Sequence, residues 1–182
     1  MLFFDAHQCV PSDELVFLFR HHEHSGMKKT IAVIGSSSQS DSTIVSRMAA
    51  LGYPLLLADQ KWERVKQCIQ QQHPDASVEV LDCSRECAWQ ADMILLYHSE
   101  EYIQLLEHIK NVVTGKIVVN VVQDFQSHEV QDLLPFSKVV DTLADFSPEV
   151  VSYTVRGENN QAVEQVLLLF DEIGFKSDKR TA

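Results

Sequence analysis

Apolar residues in this chain come in two rhythms. Short, almost wholly apolar runs are separated by longer segments in which apolar positions recur every three or four residues. The runs at 30–34, 54–58, 77–81, Met93–Tyr97 and Ile117–Val122 are rich in Ile, Val and Leu and read as buried strands. The segments between them read as helices. Residues 42–51 place Ile44, Val45, Met48 and Leu51 on one face, and Gly52 closes the helix. Residues 62–72 form a polar, glutamine-rich helix and Ser84–Gln90 a short one. Residues 100–112 carry Ile103, Leu106 and Ile109 on one side. Beyond them, 138–141 and Val151–Arg156 predict further strands. Residues 160–173 predict an amphipathic helix with Val163, Val166, Leu167 and Phe170, ended by Gly174; its apolar positions could support a homodimer.

Fully apolar strands separated by helices of this length imply an α/β fold. The expectation is a Rossmann-like, doubly wound, mostly parallel sheet flanked by helices in a single domain over residues 27–176. Crossovers should be right-handed. Residues 177–182 read as a frayed tail. Residues 1–26 read as a leader of uncertain status: apolar at Met1–Phe4 and 14–19, then His21-His-Glu-His24, with no basic start or cleavage site of a signal peptide. Met27 resembles a natural start, which makes the leader an appendage or an upstream mis-called start.

Composition narrows the function classes. A formal charge of −11 argues against nucleic acid, whose phosphates need clustered Lys and Arg, and against anionic membrane surfaces. No apolar run reaches the length that spans a bilayer. Cys9, Cys68, Cys83 and Cys87 are too few and scattered for a disulfide framework and fit free thiols in a reducing cytoplasm. Cys83 and Cys87 could share a helix face, but as a metal site they lack two further partners, so no metal is assigned. His21, His22 and His24 read as a solvated polar stretch.

The candidate chemistry follows the first strand. Lys29–Asp41 reads as strand, tight turn and helix start, and a second strand then ends at Asp59. That order opens a dinucleotide-binding βαβ unit. Of the three motif glycines only Gly35 is present; the others fall on Ser37 and Ser40. The first glycine permits the turn, the second lets backbone approach a pyrophosphate, and the third lets the helix pack on the strand. Hydroxyls at Ser36, Ser37, Ser38 and Ser40 can donate to phosphate oxygens. Asp41 suits the helix dipole but occupies the electrostatic place of a phosphate, and Ser40, Asp41 or Ser42 can equally cap the helix. Asp59 is placed to accept from a ribose 2′-hydroxyl or to cap the next helix, and Lys61 and Arg64 can attract a 2′-phosphate. Tyr97-His98-Ser99 ends the fourth strand, where His98 is a candidate to touch a nicotinamide or act as acid or base. Asn120, Gln123 and Asp124 extend the same rim.

From about Lys28 to Phe175 the chain resembles the NADP oxidoreductase family that depends on the deazaflavin coenzyme F-420, a relative of the pyrroline-carboxylate reductase N-terminal domain. The marks are Ile31-Ala-Val-Ile-Gly35, Ala91-Asp-Met-Ile-Leu-Leu96, Gly115-Lys-Ile-Val-Val-Asn120 and the closing strand–helix unit 151–175. The resemblance implies a domain that binds NADP or NAD and exchanges hydride with a flavin-like partner. By position it implies a cofactor loop of Gly35, Ser36, Ser37, Ser38, Gln39 and Ser40. It further implies a ribose and 2′-phosphate region of Asp59, Gln60 and Lys61, and a nicotinamide side of Tyr97, His98 and Ser99. The chain departs from the family where Tyr97-His98-Ser99 replaces small residues and a proline, and where Gln123-Asp124 replaces Asn-Pro. Two other readings stand beside this one: a degenerate Rossmann domain acting as a non-catalytic binding or interaction module, and a CoA-binding Rossmann domain, to whose turn Gly35-Ser36-Ser37 is similar.

Overall fold

The computed structural model describes residues 28–35, 39–58, 60–97, 102–122, 129–146 and 151–177. Six parallel strands form its centre: β1 (Ile31–Ile34), β2 (Leu55–Ala58), β3 (Val78–Leu81), β4 (Met93–Tyr97), β5 (Ile117–Val122) and β6 (Lys138–Phe146). β7 (Val151–Arg156) returns antiparallel to β6, and the two-residue β8 (Lys176–Ser177) pairs parallel to β7. The sheet order is β3-β2-β1-β4-β5-β6-β7-β8. The chain therefore builds outward from β1 to β3, then crosses back to lay β4 on the other side of β1. This is the doubly wound arrangement, and its reversal falls between β1 and β4.

Alternation along the strands feeds two layers. Ile31, Val33, Leu55, Leu57, Met93, Leu95 and Tyr97 face one core, covered by α1 (Gln39–Ala50), α2 (Glu63–Gln72) and α6 (Asn160–Glu172). Ala32, Ile34, Leu56, Ala58, Ile94, Leu96 and Val118 face the other, covered by α3 (Ser84–Gln90), α4 (Tyr102–Ile109) and α5 (Glu129–Leu133). β1, β2 and β4 are buried on both faces, as a parallel sheet covered by helices requires.

Polar contacts close the layers at the N-terminal ends of the strands. The Thr30 amide donates to Asp92 Oδ2 at 2.8 Å and the Asp92 amide to Thr30 O at 2.9 Å, tying the entries of β1 and β4 together. Lys116 Nζ donates to Ala88 O (2.8 Å) and Trp89 O (2.6 Å), satisfying carbonyls that the end of α3 leaves open. Asn159 caps α6 through a 2.9 Å bond from the Ala162 amide. The far end of α6 is held by Arg47 Nη1, which donates to Ile173 O at 3.2 Å, and by Glu172, which accepts from Lys28 and from the Tyr53 hydroxyl.

Several expectations are corrected. α1 starts at Gln39, three residues before the expected 42, so Ser40, Asp41 and Ser42 lie inside the helix rather than capping it. Its docking through Ile44, Val45 and Met48 outweighs the weak propensity of the serine-rich stretch. β6 runs nine residues instead of the four at 138–141, because pairing with β7 prolongs it to Phe146. α5 and β8 were not expected, and β8 takes Ser177 out of the predicted tail. The apolar positions singled out on α6 face inward: Val166 and Phe170 are fully buried, and Val163 and Leu167 pack against the same core. Among the described residues no helix is long and apolar enough to cross a membrane. The predicted leader lies outside the described residues, His21, His22 and His24 with it.

Candidate functional site

The sheet register brings the C-terminal ends of β1, β2 and β4 to one edge. Ile34 pairs with Ala58 on one side and Leu96 on the other. Gly35 and Tyr97 follow two of these residues, so the ends of β1, β2 and β4 stand side by side at the reversal point. In an open α/β sheet this is the crevice where ligands bind.

Gly35 has φ +111°. A Cβ there would lie 2.3 Å from the Tyr97 carbonyl oxygen and 3.0 Å from its carbonyl carbon. The glycine is thus demanded by close approach of one backbone to another, whatever the crevice holds. α1 begins four residues later, at Gln39. The residues between, Ser36, Ser37 and Ser38, lie outside the described residues; Gln39 and Ser40 open α1, and nothing is described of their side chains.

At the end of β2, Asp59 lies outside the described residues. Gln60 opens a 3-10 turn (Gln60–Trp62) that leads into α2. Lys61 and Arg64 are exposed there, and Trp62 is fully buried beneath them with no hydrogen-bond partner for its indole N–H. At the end of β4, the Tyr97 ring does not line an open rim. It is buried in the core shared with α1, while its backbone oxygen abuts Gly35. His98, Ser99, Gln123 and Asp124 lie outside the described residues. Among the described residues no group of three or more His, Cys, Asp or Glu is arranged to hold a metal ion.

One cluster was only half visible in the sequence. Asn120, fully buried in β5, accepts from the Tyr102 hydroxyl and donates through Nδ2 to Asp141 Oδ1 at 2.7 Å. Burial, and then the charge of Asp141, push the pKa of Tyr102 well above the ordinary tyrosine range, so its hydroxyl stays protonated. The signal was a lone polar residue inside Ile-Val-Val-Asn-Val-Val, because a buried amide needs partners. Its partners could not be found without the topology.

No protein-family model matches the sequence, and no curated protein does either. Solved structures match in shape. An imine reductase from Myxococcus stipitatus, a V8 variant in complex with NAD+, superposes with a TM-score of 0.63 at 15% identity, over 83% of this chain and 54% of that one. The N-terminal domain of HmdIII from Methanocaldococcus jannaschii gives 0.63 at 12% identity, over 82% of this chain and 97% of that one. A UDP-glucose dehydrogenase from Pyrobaculum islandicum gives 0.61 at 9% identity, over 87% and 47%. The chain spans about half the length of the imine reductases it matches. At these identities the likeness establishes the fold: a Rossmann-like α/β domain with a mostly parallel sheet between two layers of helices.

Proposed function

We propose that this chain is the dinucleotide-binding domain of an NAD(P)-dependent oxidoreductase. The observation that carries the reading is the reversal point itself, where the Gly35 bend and the start of α1 stand between the ends of β2 and β4. Matched imine reductases are in complex with NAD+ or NADP+. The backbone fits such a group: a positive-φ glycine ends β1, and a helix N-terminus follows at the spacing that suits a pyrophosphate. Residues Gly35 to Ser40 would take the pyrophosphate, Asp59 to Lys61 the ribose, and His98 and Ser99 the nicotinamide end. Exposed Lys61 and Arg64 favour NADP over NAD. The cofactor would supply the hydride, and the protein its orientation. The acceptor is unassigned; a deazaflavin follows from the family resemblance. The free thiols Cys83 and Cys87 suit a cytoplasmic location.

A second reading is a non-catalytic module, favoured by Ser37 and Ser40 at the glycine positions and by Asp41 in the first turn of α1. A thermal-shift panel with NADP, NAD, CoA, FMN and AMP separates the readings. NADP should raise the melting temperature by about 5 °C or more at a hundredfold excess over its dissociation constant. A shift with CoA alone, or with none of the five, refutes the oxidoreductase reading.

A further inference from the structure

We draw no further inference here: the strongest candidate, the surface patch at the N-terminal ends of the central strands where Trp89 and Phe136 stand exposed with their carbonyls bonded to Lys116 and Gly115, carries nothing because nothing in the structure shows what covers it.

Discussion

Gly35→Ala is expected to lower the melting temperature by roughly 6–12 °C, with or without nucleotide present. The native φ of +111° lies where an L-residue is strained. The new methyl group would also sit 2.3 Å from the Tyr97 carbonyl oxygen. Neither partner can step back. Tyr97 belongs to a strand paired on both sides, and Ile34, just before the glycine, is held between Ala58 and Leu96. Strain of this kind with a backbone clash amounts to about 3 kcal/mol, and each kcal/mol is worth about 2–4 °C in a domain of this size. Gly52→Ala is the matched comparison. Gly52 has φ +79° but open space around the added Cβ, so only the conformational cost of about 1 kcal/mol applies. Equal losses in the two variants would refute the packing explanation of Gly35.

Phe170→Ala should cost about 3–5 kcal/mol in chemical denaturation. Phe170 is fully buried in α6, with its ring centroid 5.0 Å from that of Tyr153 and 5.6 Å from that of Phe175. Removing the ring opens a cavity among side chains from α6, β7 and the residue before β8. These elements are pinned by their hydrogen bonds, Tyr153 Oη to Asp171 Oδ1 (2.8 Å) and Arg47 to Ile173 O among them, so the cavity cannot collapse freely. Leu168→Ala, two residues away and 62% exposed, should stay within about 0.5 kcal/mol. A loss below about 1.5 kcal/mol for Phe170→Ala would contradict the claim that this face of α6 packs inward.

Much of this fold could be read from the sequence because its strands are buried on both faces and stand out as uninterrupted apolar runs. α3, β4, β5 and β7 fall where their runs predict them. What escaped was set by distant contacts. α5 and β8, at five and two residues, are too short to show a period. The second half of β6 exists through its pairing with β7. The residues that carry the family resemblance prove to have structural work: Asp92 ties β4 to β1, Lys116 satisfies the end of α3, and Asn120 joins Tyr102 to Asp141.

The same distinction divides the candidate site. Gly35 is the one motif glycine that the chain's own packing demands, and it is the one present. In the general motif the positions that Ser37 and Ser40 occupy serve ligand approach and helix docking. The sequence placed the ends of β1 and β4 at Ile34 and Tyr97, where the structure has them. It misjudged Tyr97, whose ring belongs to the core beneath α1, and could not foresee that Tyr102 bonds to Asn120, eighteen residues further along the chain.

The most direct test is a crystal of the full chain soaked in NADPH. The pyrophosphate should appear at the turn after β1, against Gly35 and the first amides of α1, with the nicotinamide reaching toward the end of β4. An empty turn at millimolar NADPH, with its amides already engaged by a serine hydroxyl or the Asp41 carboxylate, would contradict the assignment of this domain to dinucleotide chemistry.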